Sequence, residues 1–400
     1  MHPSSELRGT KSKRLEGKRI VLGVTGSIAA VECVRLVREL IRHGAEVFPV
    51  MSPAAGRIVH PDALWFASGN RPVTGLTGNV EHVSLCGKGP DRSDLLLVAP
   101  ATSNTISKMA CGIDDTPVTT FAVTAIGAGV PVMVVPAMHE SMYAHPVVKE
   151  NLRKLESLGV GLISPRLSEN KAKMASVEDV VLAVLRRLGR GDLKGKRVLV
   201  IAGSTRERID DVRCVTNFST GRTGIEIAIA AWTRGADVEL WYGSSPEQPP
   251  GLFPSKRFDS LDSLNALVTE ATLVFDTIIV PAAISDYTVS KAPGKLGSER
   301  PVTVELHPAP KVLRSLRRRF KGVLVGFKAE TGTAPDELEK RAREMMDSSD
   351  ADMAVANDLA DVSDDATRIL IIPRKGGVRT FSGGKTEAAD AVLDEVVKAL

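Results

Sequence analysis

Four hundred residues are enough for two domains of about 150–200 residues, each with its own core. Charge is nearly balanced, 52 Lys and Arg against 48 Asp and Glu, and aromatics are few (10 Phe, 3 Trp, 3 Tyr), which argues against a nucleic-acid partner or a base-stacking surface. Cys33, Cys86, Cys111 and Cys214 form no CxxC pair or metal-ligand spacing, and no run of about 18 apolar residues exists, so reduced thiols, no membrane span and a cytoplasmic location are expected.

Met1 to Glu16 is polar and basic, lacks the apolar segment of a secretion signal, and reads as a disordered tail. Residues 17–27 then run Gly-Lys-Arg-Ile-Val-Leu-Gly-Val-Thr-Gly-Ser, and residues 195–205 echo them as Gly-Lys-Arg-Val-Leu-Val-Ile-Ala-Gly-Ser-Thr. A short apolar run ending in small and hydroxyl residues fits a buried parallel strand feeding a turn suited to phosphate. The echo predicts two consecutive Rossmann-like, doubly wound α/β domains and two linked activities.

In the first half, strands are expected at Arg19–Val24, Ala45–Met51, Asp94–Ala99 and Pro131–Pro136. Helices are expected at Ser27–His43, Ser103–Cys111, Pro117–Ala128, Met142–Leu158 and Val177–Leu188. This alternation implies a parallel sheet covered on both faces. The polar, Gly-rich stretch Arg186–Lys196 marks the boundary, giving domains 17–190 and 191–400. In the second half, strands are expected at Arg197–Ala202, Asp237–Trp241, Leu273–Val280, Gly322–Phe327 and Met353–Ala356, with helices at Gly224–Arg234 and Pro335–Asp347. A hairpin, Arg368–Pro373 with Val378–Phe381, and the helix Lys385–Leu400 close the chain, while Ala282–Glu299 reads as a loop at a strand end, where ligands bind in such sheets.

Thr25-Gly26-Ser27 is either a phosphate-binding turn or a plain tight turn. His82 is either an active-site group or a loop histidine with one backbone hydrogen bond. A longer signal is Ala99-Pro100-Ala101-Thr102-Ser103-Asn104, followed after another strand by Pro136-Ala137-Met138-His139-Glu140-Ser141-Met142-Tyr143. These segments resemble those of the homo-oligomeric flavin-containing cysteine decarboxylases. With the second half, the chain from about Gly17 resembles the bifunctional phosphopantothenoylcysteine decarboxylase/phosphopantothenate–cysteine ligases of coenzyme A biosynthesis, in an archaeal-like variant.

The resemblance implies a flavoprotein-type decarboxylase domain with FMN at Gly26, Ser27, Ser52, Thr102 and Asn104, His82 as base, and Met138, His139 and Met142 at the substrate. The substrate thiol is oxidised, CO₂ leaves, and the resulting ene-thiol is reduced. His139 stands where the family pattern has Asn, and it can still hydrogen-bond a carboxylate. Bacterial relatives carry a proton-donating cysteine in a flap, but here residues 168–174 read Ser-Glu-Asn-Lys-Ala-Lys-Met. Either Lys171, Lys173, Cys86 or Cys111 donates instead, or the reaction stops at the ene-thiol; archaeal-type members share such a flap, which favours full decarboxylation.

In the second half, Thr216-Asn217-Phe218-Ser219-Thr220-Gly221-Arg222-Thr223-Gly224 brings hydroxyls, glycines and an Arg to a helix start, as a phosphate site needs, without a Walker pattern. Ala282-Ala283-Ile284-Ser285-Asp286-Tyr287, Gly326-Phe327-Lys328-Ala329-Glu330-Thr331 and Ala356-Asn357-Asp358 resemble the ligase segments in order. The resemblance implies that a carboxylate attacks the α-phosphate of CTP and that cysteine's amine then displaces the nucleotide. Asn217 holds the acyl-nucleotide and Lys295 neutralises phosphate charge. Ala282, Asp286, Pro310, Lys311, Phe327 and Lys340 contact the nucleotide, and Mg²⁺ bridges its phosphates. Singly, Asp286 reads equally as a turn cap, Lys295 as a solvated loop lysine and Asn217 as a residue tolerant of αL backbone. Lys311 and Lys328 depart from the family pattern and leave CTP, ATP and UTP open. The expected partners are small molecules and further copies of the chain, as a trimer or dodecamer. The rival readings are a flavin-binding regulatory or inhibitory protein, or another flavin-dependent enzyme on this fold.

Overall fold

The computed structural model describes residues 2–169, 171–271, 274–297, 299–361 and 366–400. The chain divides into two units, Met1–Gly189 and Arg190–Leu400.

The first unit runs β1 (Arg19–Val24), α1 (Cys33–Arg42), β2 (Glu46–Met51), α2 (Pro61–Ser68), α3 (Glu81–Cys86), β3 (Leu95–Ala101), α4 (Ser103–Cys111), α5 (Pro117–Ala128), β4 (Val132–Pro136), β5 (Met138–His139), α6 (Glu140–Ala144), α7 (Pro146–Ser157), β6 (Gly161–Leu162), β7 (Arg166–Ser168), β8 (Lys171–Lys173) and α8 (Val177–Leu188). A parallel sheet in the order β2-β1-β3-β4-β6 carries the core. Apolar layers cover both of its faces, α1, α2 and α8 on one and α4, α5 and α7 on the other. All seven residues of β3 are buried, which is why that segment reads as one apolar run. Thr102 and Thr116 cap α4 and α5, and left-handed Gly112 and Gly129 stop them. Two expected helices come out differently and two more are added. Residues 28–32 form a 3₁₀ segment before α1, α2 and α3 are additional helices, and Pro146 divides the expected helix 142–158 into α6 and α7.

The expected disordered tail is ordered. Residues 3–7 form a 3₁₀ turn, and Leu15 is fully buried. The segment caps the carboxyl end of α1: Gly9 N donates to Ile41 O (3.0 Å), Lys11 N to Arg42 O (2.9 Å) and Leu15 N to His43 O (2.8 Å). Ile41 O also accepts from Gly44 N (2.8 Å), and the tail satisfies the remaining carbonyls at this helix end, which have no donor within α1. Ser12 Oγ lies 2.7 Å from Nδ1 of His43, which is 7% exposed. Burial, then Lys11 and Arg14, push His43 down from 6.5 to about 4. The fold therefore favours neutral His43. Its contribution is full above the unfolded value of 6.5 and is lost as pH falls from 6.5 towards 4. By pH 5 the loss is about 2 kcal/mol. Urea midpoints at pH 7 and pH 5 check this, with the pH-dependent difference shrinking in His43→Gln; an equal difference in that variant removes His43 as its source.

The second unit runs β9 (Arg197–Ala202), β10 (Arg206–Arg208), β11 (Cys214–Thr216), α9 (Arg222–Thr233), β12 (Asp237–Tyr242), β13 (Ser255–Arg257), α10 (Leu261–Glu270), β14 (Thr277–Val280), β15 (Tyr287–Val289), β16 (Leu306–Pro308), α11 (Val312–Arg319), β17 (Val323–Glu330), α12 (Pro335–Ser349), β18 (Met353–Asp358), β19 (Ala366–Pro373), β20 (Arg379–Gly384) and α13 (Lys385–Ala399). Eight strands in the order β13-β12-β9-β14-β17-β18-β19-β20 form its sheet, antiparallel only across β18-β19-β20. Layers of α9 with α13, and of α10, α11 and α12, cover the two faces. Residue 273, where the sequence reading begins a strand, lies outside the described residues; β14 begins at Thr277. The expected loop 282–299 contains β15, which pairs with β16 in a two-stranded ribbon. The edge strand β13 is three exposed residues, Ser-Lys-Arg, and the opposite edge, β20, begins with exposed Arg379.

Candidate functional site

In the first unit, residues at the carboxyl ends of adjacent β2, β1 and β3 meet along one edge. Thr25, 1% exposed, donates through Oγ1 to Pro100 O (2.7 Å) and accepts from Thr102 N (3.1 Å). That stitch sets the turn after β1 beside the turn after β3. A Cβ on Gly26 would stand 2.5 Å from the Cβ of Ala54, so only glycine lets the two turns approach. Ser27 starts the following 3₁₀ turn, its Oγ accepting from Ala29 N (3.4 Å). Buried Ser52 accepts from Ala55 N (3.2 Å). Thr102 accepts from Thr105 N (3.3 Å), and Asn104 is exposed on the first turn of α4. Hydroxyls, a glycine cradle and two helix starts at one edge are a donor set suited to a phosphate and a flat polar ring system.

His82 lies on α3, and its ring meets Phe121 of α5 edge-on at 6.3 Å. Its Nδ1 is sealed from solvent and has no hydrogen-bond partner among the described residues. A buried ring nitrogen left unpaired is a cost that a bound ligand can remove. Met138 and His139 follow β4 at the same sheet edge and form β5, which pairs with β8: Met138 opposite Ala172, His139 opposite Lys171. The flap is thus brought onto the strand that carries the expected substrate contacts. His139 Nδ1 accepts from Ser141 N (3.3 Å) at the start of α6, where Met142 is 47% exposed. Lys171 is exposed. Lys173 is held by Glu169 at 2.6 Å. The Lys173 ammonium, through its hydrogen bond first, keeps Glu169 below the usual carboxylate range. Cys86 is buried and pushed up to about 11 by that burial, which disfavours it as a thiolate; Cys111 is exposed.

The second unit holds a cleft of about 1700 Å³ across the carboxyl ends of β14, β17 and β18. Its lining brings together Asn217, Ala282, Asp286, Pro310, Lys311 and Phe327. Asn217 Nδ2 donates to Ile284 O (3.2 Å), and Thr205, fully buried, accepts from Ser285 N (3.0 Å) while its carbonyl accepts from Thr216 Oγ1 (2.7 Å). These bonds tie the loops after β9, β11 and β14 into one wall. At Gly224 a Cβ would lie 2.4 Å from that of Ala202, so glycine seats the first turn of α9 directly on β9. Lys311 pairs with Asp286, and Lys328 with Glu330 at 2.9 Å. The Lys328 hydrogen bond, then Arg341, hold Glu330 below its ordinary range.

Two expected contacts stand elsewhere. Lys340 is 67% exposed and off the cleft lining. Arg341, one residue on, lines it with Met345 and Ser348, because one residue turns a helix by about 100°. Lys295 is exposed and also off the lining. Its loop is tied to the β10–β11 hairpin: Asp211 N donates to Gly294 O (3.1 Å), and Leu296 N to Asp210 Oδ2 (3.1 Å). Asp210 is fully buried and also accepts from Val212 N (2.7 Å) and Arg213 N (2.6 Å). Burial pushes its carboxyl up, but the three backbone donors and Arg213 outweigh it and bring it to about 2. Sequence reasoning passed over Arg341 and Lys385, both on the lining. The signal for Arg341 was the apolar stripe of α12; for Lys385 it was a cation at the first position of a helix.

Among the described residues, no group of three or more His, Cys, Asp or Glu is placed to hold a metal, and no helix is long and apolar enough to cross a membrane.

Both halves of the chain match known families. The flavoprotein family matches residues 8–189, and the DNA/pantothenate metabolism flavoprotein C-terminal domain matches residues 193–400. The coenzyme A biosynthesis bifunctional protein CoaBC of Thermococcus kodakarensis is 46% identical over 404 residues, covering all of both chains. That of Methanocaldococcus jannaschii is 41% identical, covering 100% of this chain and 98% of its own. That of Bacillus subtilis is 33% identical, covering 86% and 87%. On this identity and coverage, the chain belongs to the family of coenzyme A biosynthesis bifunctional proteins.

Proposed function

We propose that the chain is a bifunctional enzyme of coenzyme A biosynthesis that joins 4′-phosphopantothenate to L-cysteine and then decarboxylates the product to 4′-phosphopantetheine. The carrying observation is end-to-end identity of 46% with one such protein, combined with a separate strand-edge site in each unit. A purely regulatory flavin-binding role is not favoured, because it leaves the second cleft without a use.

In the ligase half, the substrate carboxylate attacks the α-phosphorus of a nucleoside triphosphate and pyrophosphate leaves. The amine of cysteine then attacks the acyl carbon, nucleoside monophosphate leaves, and the amine gives up a proton. Splitting amide formation in this way turns a poor leaving group into a good one. Asn217 supports the acyl-nucleotide from the Ile284 wall. Ala282, Asp286, Pro310, Lys311 and Phe327 hold the nucleotide, with Arg341 rather than Lys340 facing it. Lys295, on the loop tethered to the β10–β11 hairpin, neutralises charge on the phosphates. CTP is the nucleotide we assign, and Mg²⁺ arrives with its phosphates, as a hard cation favours oxygen ligands.

In the decarboxylase half, FMN would supply, when bound, the two-electron oxidation that leaves the carboxylate β to a thiocarbonyl and, after CO₂ has left, would return those two electrons to the ene-thiol. Gly26, Ser27, Ser52, Thr102 and Asn104 would hold its phosphate and ring edge. His82 exchanges the proton at the reacting thiol, and its unpaired Nδ1 supports that reading. His139 and Met138 hold the substrate, with Met142 at the rim. Lys171, opposite His139 and exposed, is the better-placed donor to the ene-thiol; Lys173 is engaged with Glu169. Exposed Ile28, Val31, Trp65 and Phe66 on the first unit support self-association; we assign a trimer or dodecamer and a cytoplasmic location.

The test is to incubate the protein with 4′-phosphopantothenate, cysteine, Mg²⁺ and CTP and to weigh the products. Adduct less CO₂ is expected. Adduct less CO₂ and two hydrogens places the failure at the final reduction. Intact adduct leaves a ligase alone, and no adduct with CTP or ATP overturns the reading.

A further inference from the structure

Phe218 is the most exposed large apolar side chain among the described residues, and yet it stands on the lining of the ligase cleft. Single apolar side chains on a surface are ordinary. One at the mouth of a substrate cleft, next to a residue assigned to the intermediate, has a use once the cleft is filled.

The loop that carries Phe218 is pinned on both sides of it. Before it, Thr216 Oγ1 donates to Thr205 O (2.7 Å) and Asn217 Nδ2 to Ile284 O (3.2 Å). After it, Ser245 Oγ donates to Thr220 O. Phe218 itself makes no hydrogen bond among the described residues, so its ring is free to move while its neighbours stay fixed. The wall to which Asn217 is tied is apolar: Ala282, Ala283 and Ile284 follow one another along the lining, each half-buried. Asn217 thus joins a fully exposed ring to a strip of apolar surface, at the point where the acyl-nucleotide is assigned.

That intermediate has two possible fates. Attack by the amine of cysteine gives the amide. In attack by water, the water oxygen bonds to the acyl carbon and the bond from that carbon to the phosphate oxygen breaks. Nucleoside monophosphate leaves, the water gives up its protons, and the starting carboxylate returns. A nucleoside triphosphate is then consumed without product. Water is in large excess over cysteine, so an open cleft favours the second course, and an apolar group closed over the reacting carbon suppresses it.

We propose that Phe218 closes over the acyl carbon of the acyl-nucleotide, against the strip 282–284, and shields it from water until cysteine enters. This rests on the ligase reading above. The driving force is burial of a phenyl ring that the ligand-free protein leaves in solvent. Phe218 decides which nucleophile reaches the carbon, while Asn217 and Lys295 act on the intermediate and its charge.

The test counts the pyrophosphate and the amide formed by the full chain with 4′-phosphopantothenate, CTP, Mg²⁺ and cysteine. Wild type is expected to release about one pyrophosphate per amide. Phe218→Ser is expected to release about three or more, the surplus matched by nucleoside monophosphate, whereas Phe218→Leu keeps an apolar cover and stays near the wild-type ratio. In water enriched in heavy oxygen, the surplus turnover of Phe218→Ser places label in the carboxylate of recovered 4′-phosphopantothenate. Its melting temperature holds, since a fully exposed side chain is removed. A wild-type ratio in Phe218→Ser overturns the proposal. So does label in the nucleoside monophosphate instead, which puts the open face at phosphorus. Pyrophosphate and amide lost in step give Phe218 a part in binding or in contact between copies, and also overturn it. A wild-type protein that releases no pyrophosphate overturns the ligase reading itself, which keeps the two failures distinguishable.

Discussion

His82→Asn is expected to slow CO₂ release by about 100-fold or more while ligation continues, so that intact 4′-phosphopantothenoylcysteine accumulates. The size follows from removing a positioned proton-transfer group. The selectivity follows from placement, because His82 lies in the first unit and the ligase cleft is built wholly from the second. The variant is also unlike most buried-polar substitutions. Among the described residues Nδ1 of His82 has no hydrogen-bond partner, so removing the ring orphans none of them. What is lost is packing on Phe121, and a thermal melt within a few degrees of wild type is expected. CO₂ release within about threefold of wild type would remove His82 from the chemistry and restore the plainer view of a helix histidine packed on an aromatic ring.

Lys295→Gln is expected to lower ligation by about 100-fold, and Asp210→Ala to lower it in the same direction without touching any substrate. Lys295 is the charge; Asp210 holds the loop that carries it. Without the carboxylate, the N–H groups of Val212, Arg213 and Leu296 lose their common acceptor and the loop is released from the hairpin. If the two act through one loop, the double variant is no worse than Lys295→Gln alone. Losses that multiply give Asp210 a separate role. The carboxyl sits near 2, below its ordinary 3.8, so its contribution is present above 3.8 and is lost only as pH falls through about 2. The tether is therefore intact across the working range, and an acid limb in the ligation rate near pH 5 has another source.

The sheet and the strand-end turns were legible because their physics is local. Buried parallel strands such as β1 and β9 read as apolar runs, and Thr caps with left-handed glycines fix the ends of α4 and α5 to the residue. Short helices were not legible. Six residues in α3 give no periodicity to count, and α11 buries only Val312 and Leu316 among charges. The first sixteen residues read as disordered because composition cannot show that their N–H groups would meet the carbonyls at the end of α1. Within the second unit, Asn217, Ala282, Asp286, Pro310, Lys311 and Phe327 line one cleft, whereas Lys295 stands off it. Lys340 and Arg341 were confused because the choice depends on which face of α12 packs. Lys385 was missed because α13 packs on α9, an element more than a hundred residues away in the chain, as well as on β19 and β20.

The two rims of the second unit's sheet carry a further consequence, for solubility. A row of unpaired backbone groups at a sheet rim invites pairing with another chain and, repeated, fibrous aggregation. Here one rim is a three-residue strand bearing Lys256 and Arg257, and the other opens on Arg379 and runs out in Gly383 and Gly384. Short length, like charge and glycine all discourage strand addition. Copies of this unit in concentrated solution should therefore meet through helices and loops, leaving the rims unused.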